Sequence, residues 1–331
     1  MIAGKKVRIL GFGKYLPKQV LSSEIEERYG LPPGWSERYS GVRSRHHATF
    51  ESNGYMGARA IEQAMENCGL NLSQVDMIIS AAATYDYPLP NQASVIKNHL
   101  NNGNDYNVAT IDINSTCLSF VSALEFASKL LDGKQYKTIV IVSSEISSKG
   151  LDPENWETIT LFGDAAVAVV LQYDANSDSL FIKGGQRTYS EGVFDTIIKG
   201  GGNEYFFKDH PYNQKLHSFS MNGKNLLRLA RSKIPDFMEW FFADLPISIQ
   251  DVSAIVPHQA SKTGIMMFRS IYGFENGKVK ENLLNNGNCI AASIPMTFYD
   301  AVTAGEIKRG DICLLSGTAA GFSIGGVLIK Y

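Results

Sequence analysis

Apolar positions along this chain follow two rhythms, and the alternation between them predicts the architecture. Residues 6–13, "KVRILGFG", read as a strand. Residues 55–70, "YMGARAIEQAMENCGL", place Met56, Ala60, Ile61, Ala64 and Met65 on one helical face, with Gly69 as the stop. "VDMIISAAAT" (75–84) is a buried strand, "QASVIKNHL" (92–100) is helical, and "NVATIDIN" (107–114) is a strand. A helix then follows Cys117, with Phe120, Leu124, Ala127 and Leu131 as its apolar stripe. "YKTIVIVSSE" (136–145) and "GDAAVAVVLQ" (163–172) are strands. Near-continuous Val/Ile runs of this kind belong to strands covered on both faces, which is the α/β class.

The second half repeats the style. Residues 218–242 give a helix entry and a long helix, "DVSAIVPHQAS" (251–261) gives strand, loop and helix, and residues 310–331 give a pair of terminal strands. "YKTIVIVSSE" resembles "GDICLLSGTA", and "LFGDAAVAVVLQY" resembles "AAGFSIGGVLIKY". This internal similarity predicts two alike halves, 1–174 and 175–331. No Pro-, Gly- or Ser-rich linker separates them, so a shared core is expected.

Composition narrows the function. The 331 residues are 44% hydrophobic, enough for one large core or two ordinary domains. A formal net charge of -2 supplies no basic field for nucleic acid. The four cysteines, Cys68, Cys117, Cys289 and Cys313, have no CxxC spacing and no His cluster beside them, so neither a metal site nor a disulfide framework is expected. Free thiols fit a reducing compartment. The N-terminal apolar run is too short for a signal peptide, and no window reaches the length of a membrane span. The expectation is a soluble, cytoplasmic protein. "GFGKYLP" lacks the third glycine and helix start of a dinucleotide site.

Three polar groups stand where apolar strands end. Cys117 lies between a strand and a helix, where the positive end of the helix dipole is expected to lower its pKa and the turn to expose its side chain. His258 follows a buried strand in "AIVPHQAS". Asn288 sits in "LLNNGNCIAASIPM", where Gly287 and Asn288 form a turn that aims a polar side chain. Each also has a plainer reading: a small buried hydrophobe, a structural loop histidine and a tight turn. Together they match a nucleophile with two hydrogen-bond donors for one oxyanion. All three stand at strand-to-helix edges, where open α/β sheets carry their sites.

With these flanks the sequence resembles the thiolase superfamily, and within it 3-oxoacyl-(acyl-carrier-protein) synthase III, over nearly the whole chain. "STCLSF" resembles the nucleophile motif. "VPHQAS" resembles Pro-His-Gln-Ala-Asn, with Ser261 in place of Asn. "NNGNCIAASIP" resembles Gly-Asn-Thr-Ala-Ala-Ser-Ile-Pro, "LFGDAAVAVVL" the Phe-Gly-Asp-Gly-Ala strand entry, and "GWSERYSGVRSRH" the early Trp…Gly-Ile/Val-Arg segment. The Cys-His-Asn order separates this branch from Cys-His-His synthases and Cys-His-Cys thiolases.

The resemblance implies a five-layered αβαβα thiolase-like fold of two similar halves, the first carrying the nucleophile and the second His and Asn. It implies a homodimer, no cofactor or metal, and acyl and malonyl thioesters as substrates. Cys117 would take an acyl group; His258 and Asn288 would stabilise the enolate left when carbon dioxide departs. Backbone N–H groups of Cys117 and Ala320 would hold the other oxyanion. Trp35, Trp156, Leu89, Phe162 and Ser261 fall at substrate-binding positions. Trp156 and Tyr39 replace arginines that contact coenzyme A, which favours an acyl carrier protein over acyl-coenzyme A as the donor. Leu89 takes the place of a bulky gate supplied by the partner subunit, with Tyr87 as a second alignment. Lys224, Arg228, Arg231, Lys262 and Arg269 are candidates for carrier-protein docking, or a solvated face. Three other readings remain open. One is a specialised-lipid ketosynthase joining an acyl chain to a 3-oxoacyl thioester. The second is an acyltransferase forming no carbon–carbon bond. The third is a non-catalytic partner, against which an intact Cys117 argues.

Overall fold

A strand that is apolar on both faces needs a helix layer on each side, and the chain meets that need twice. The computed structural model describes residues 2–275 and 277–331. The first half runs β1 (Val7–Tyr15), β2 (Lys18–Leu21), α1 (Ser22–Tyr29), α2 (Trp35–Tyr39), β3 (Ser44–His47), α3 (Asn53–Cys68), β4 (Met77–Ala81), α4 (Gln92–Asn98), β5 (Ala109–Ile113), α5 (Ser119–Leu130), β6 (Thr138–Glu145), α6 (Trp156–Ile159) and β7 (Ala165–Tyr173). The second runs β8 (Leu180–Thr188), β9 (Thr196–Ile197), β10 (Ser220–Met221), α7 (Gly223–Phe242), β11 (Ala254–Pro257), α8 (Lys262–Tyr272), α9 (Leu283–Asn286), α10 (Ser293–Thr303), β12 (Ile312–Ala319) and β13 (Ser323–Lys330).

The two main sheets share one topology. The first has the order β1-β7-β6-β4-β5, and the second, read from its matching edge, β8-β13-β12-β11. In each, a parallel pair (β4 with β6, β11 with β12) is followed by an antiparallel partner (β7, β13) and an antiparallel edge strand (β1, β8). A single parallel bridge between Ile255 and Val279 stands where the first sheet has β5. The similarity between residues 136–173 and 310–331 therefore reflects equivalent strands.

Alternation along each strand builds five layers. In β6, Val140 and Val142 pack outward with α3 and α4, while Ile139 and Ile141 pack inward with α5. Ile294, Phe298 and Ala301 of α10 share that inner layer, as do Val256, Leu315 and Val327 from the second sheet. The other face of the second sheet, with Ile255, Leu314 and Leu328, packs against α7 and α8. The stripe of α5 (Phe120, Leu124, Ala127, Leu131) is wholly buried in the central layer.

Two differences from the sequence reading have local causes. The helix expected at 55–70 starts two residues earlier, because Ser52 caps it by accepting from the Tyr55 N–H. β8 gave no strand signal because Gly184 and Gly185 interrupt it. A Cβ at these positions would lie 2.8 Å from Glu125 and Trp240 side-chain atoms, so a larger residue would have to displace those side chains.

Candidate active site

The loops that carry Cys117 and Asn288 are built alike, and the match is atom for atom. After β5, the Thr116 N–H donates to Asn114 Oδ1 over 2.9 Å, and the Ser115 N–H donates to Ser119 Oγ over 3.0 Å. In the second half, the Ile290 N–H donates to Asn288 Oδ1 over 2.9 Å, and the Cys289 N–H donates to Ser293 Oγ over 3.0 Å. Thr116 and Ile290 both adopt left-handed backbone, with φ of 52° and 48°. Under this correspondence Asn288 answers to Asn114, and Cys117 answers to Ala291. One loop was given its thiol and the other its amide on a common turn.

The turn orients Asn288. Its Oδ1 is occupied by the Ile290 N–H, so Nδ2 is turned toward the loop after β11, where it donates to the Ala260 carbonyl at 3.3 Å. The second amide hydrogen remains available as a donor. Gly287 makes this placement possible: its φ is 68°, and a Cβ there would lie 2.4 Å from the Leu161 carbonyl oxygen. The backbone is anchored on both sides, by Asn288 N–H to Leu161 O at 2.9 Å and Gly163 N–H to Asn288 O at 3.1 Å.

His258 follows the last residue of β11. Its N–H donates to the Ser316 carbonyl at 2.8 Å, and Gly317 lets β12 pass close: a Cβ there would lie 2.5 Å from the His258 Cβ. The neighbouring Gln259 clamps the loop, donating to Pro257 O and accepting from the N–H groups of Asn282 and Leu283. Burial pushes the His258 pKa down to about 4, so the imidazole is neutral at physiological pH. Its Nδ1 has no hydrogen-bond partner among the described residues.

Cys117 corrects one expectation. The helix N-terminus does not leave it a low pKa, and the turn leaves it only partly exposed. Burial and the Glu145 carboxylate push the thiol up to about 12, while the backbone N–H groups of Ala320 and of Cys117 itself pull it back. Desolvation wins because the buried thiol loses more solvation on ionising than those dipoles return. Glu145 ends β6 and accepts from the N–H groups of Ala83, Thr84 and Ala291 and from the Thr84 hydroxyl. Burial nevertheless raises its own pKa to about 7. The sequence reading missed Glu145; its signal was a carboxylate closing an otherwise uncharged, fully buried strand.

Cys117 thus rests as a thiol. Alkylation of Cys117 by iodoacetamide, followed as mass added at that residue, is expected to climb severalfold per pH unit from about pH 7 to about pH 9 without levelling off. A plateau below about pH 8 would show instead that the site activates the thiolate.

Cys117, His258, Asn288, Ala320, Phe162 and Ser261 all line one cavity of about 620 Å3. The turn that presents Ala320 carries a third strained non-glycine residue, Phe322, with φ of 29°. Strain at about 1–3 kcal/mol per residue thus marks all three loops.

Other expected substrate residues lie elsewhere. Trp35 and Trp156 do not line the cavity; they meet edge to face with centroids 6.1 Å apart, so no ring fits between them. Leu89 is 85% exposed and does not line the cavity of its own chain; its expected place is at the cavity of a partner subunit. Lys224, Arg228 and Arg231 are exposed on α7, and Lys262 is exposed at the start of α8. Arg269 is tied to Glu281 at 2.7 Å. Among the described residues no His, Cys, Asp and Glu group is arranged to hold a metal, and no helix is long and apolar enough to cross a membrane.

Comparison with known proteins shows the family. Residues 111–188 match the family model of 3-oxoacyl-[acyl-carrier-protein (ACP)] synthase III, and residues 242–331 match the model of that enzyme's C-terminal part. The chain is 31% identical to the beta-ketoacyl-[acyl-carrier-protein] synthase III of Coxiella burnetii, over 98% of each chain. It is 28% identical to the enzyme of the same name from Rickettsia canadensis, over 98% of this chain and 99% of the other. The crystal structure of 3-oxoacyl-[acyl-carrier-protein] synthase III from Aquifex aeolicus superposes with a TM-score of 0.87 at 25% identity, covering 98% of this chain and all of the other.

Proposed function

The chain belongs to the 3-oxoacyl-(acyl-carrier-protein) synthase III family of condensing acyltransferases, and on that premise we propose how its residues share the reaction. The observation that carries the proposal is the convergence of Cys117, His258 and Asn288 on one cavity. Cys117 sulfur attacks the carbonyl of an acyl thioester. The tetrahedral oxyanion is held by the N–H groups of Cys117 and Ala320, the same donors that face the sulfur. The carrier thiol leaves with the proton that Cys117 gives up.

A malonyl thioester then binds with its thioester oxygen between His258 and Asn288. The carbon–carbon bond to the carboxylate breaks, carbon dioxide departs, and the electron pair forms an enolate held by the imidazole N–H and the Asn288 amide. A neutral His258 serves here as a donor without a fixed charge. The enolate carbon attacks the acyl carbonyl and Cys117 departs as thiolate. The surroundings that raise its pKa to about 12 favour its return to thiol by proton uptake. The product is a 3-oxoacyl thioester lengthened by the malonyl-derived unit. The synthase III relatives favour this reading over the specialised-lipid ketosynthase and over acyl transfer without a new carbon–carbon bond.

An acyl carrier protein is the proposed donor and acceptor. The edge-to-face contact of Trp35 with Trp156 supports this, since it leaves no slot for an adenine. Lys224, Arg228, Arg231 and Lys262 form the proposed docking face for that acidic partner. A homodimer through the free edge at β5 is proposed on the open end of the first sheet. The proposed division at 174/175 falls between β7 and β8, and four free cysteines support a cytoplasmic setting.

The test uses malonyl-carrier protein with acyl-carrier-protein or acyl-coenzyme A donors. Carbon dioxide release, a 3-oxoacyl product and faster acylation by carrier-protein donors are expected. Acyl adducts at Cys117 without carbon dioxide release would overturn the condensing role.

A further inference from the structure

Protein interiors contain few voids larger than a water molecule. The cavity at Cys117 has a volume of about 620 Å3, and it does not end at the reactive groups. It continues between the second sheet and the outer helices. Leu226, Ala230, Ile234 and Met238 line it from α7 at steps of four residues, and Ile265 and Phe268 line it from α8. From Leu226 to Met238 the helix advances about 18 Å. Among the described residues no Asp, Glu, Lys or Arg lines the cavity.

These observations specify an occupant. The cavity opens to solvent at the reactive groups, and its apolar end under α7 forfeits packing that the walls would otherwise have. Its volume matches pockets that enclose a whole small-molecule ligand, whereas an acetyl group would fill only the end at Cys117. Without charged groups the walls suit hydrocarbon. Leu89, the alternative control on acyl length, would act on the cavity of a partner subunit and lies off the cavity wall of its own chain, so the two controls are separated by the substitutions below.

We propose that this channel under α7 holds the alkyl part of the acyl group on Cys117, so that the preferred primer is a medium to long apolar chain. The inference rests on the condensing reading above. In the acylation step, the thioester R–CO–S–carrier exchanges its carrier sulfur for Cys117 sulfur and releases carrier–SH, and R slides along the stripe from Leu226 toward Met238. Each buried methylene is expected to tighten binding by about fourfold, so longer donors gain until the channel is full.

Ala230 and Ile234 sit midway along the stripe and serve as places to plug it. Butyryl- and tetradecanoyl-carrier-protein donors are compared by intact mass at Cys117, for the natural chain, Ala230→Phe, Ile234→Phe and Leu89→Trp. The natural chain is expected to accept tetradecanoyl at least as fast as butyryl. At least one α7 variant is expected to lose about tenfold or more on tetradecanoyl while keeping butyryl acylation within about twofold, which also shows that it is folded. Leu89→Trp is expected to leave the profile unchanged. Poor acylation of the natural chain by tetradecanoyl, equal loss of both donors in both α7 variants, or a shift caused by Leu89→Trp alone would overturn the channel. Absence of an adduct from both donors on the natural chain would overturn the condensing reading itself.

Discussion

Cys117→Ala is expected to abolish the acyl adduct from every donor and to lower condensation by on the order of 10⁴-fold or more. The fold should tolerate the change, because the equivalent turn in the second half already carries Ala291 at this position, with the same hydrogen bonds and the same left-handed residue before it. Loss of activity would therefore report loss of the nucleophile. The variant also separates the two half-reactions. His258 and Asn288 remain, so carbon dioxide release from malonyl-carrier protein should continue without acyl transfer. Intact-protein mass spectra and carbon dioxide assays check both statements. An acyl adduct on the variant would place the nucleophile elsewhere.

The second large effect is expected at Asn288. Asn288→Asp keeps the Oδ1 that accepts from the Ile290 N–H and so keeps the turn, but it replaces the donor amide edge with a second acceptor. An enolate oxygen would then meet a carboxylate in place of a donor. Condensation is expected to fall by about 10²–10³-fold, the usual cost of one oxyanion donor. Acylation of Cys117 should stay within a few-fold, since its oxyanion uses the N–H groups of Cys117 and Ala320. Single-turnover acylation and steady-state condensation, measured side by side, check the split. Equal loss of both steps would assign Asn288 to architecture.

Much of the fold was legible because each strand and helix has to display its buried residues at its own period. The α3 face of Met56, Ala60, Ile61, Ala64 and Met65, the α5 stripe and the Val/Ile runs of β6 and β7 are all buried as the pattern required. β8 escaped notice because Glu125 and Trp240 press on its glycines, and such pressure leaves no periodic mark. Cys117, His258 and Asn288 were legible from motif flanks. Glu145 was not, because a lone carboxylate at a strand end resembles an ordinary solvated terminus until the fold shows four donors around it.

The sequence by itself determined the kinds of layers, the likeness of the two halves and the residue types that reach the strand ends. Those follow from local periodicity and from groups bonded within a few residues of one another. The tertiary structure decided the rest. It set the Cys117 pKa, since burial and a carboxylate from another strand outweigh a helix end that is local to the chain. It also decided what faces the stripe of Leu226, Ala230, Ile234 and Met238. Periodicity states that this face turns away from water, and a packed core and an open channel share the same period. Only the distance held between α7, α8 and the second sheet distinguishes them, and that distance is a sum over contacts from segments far apart in the chain.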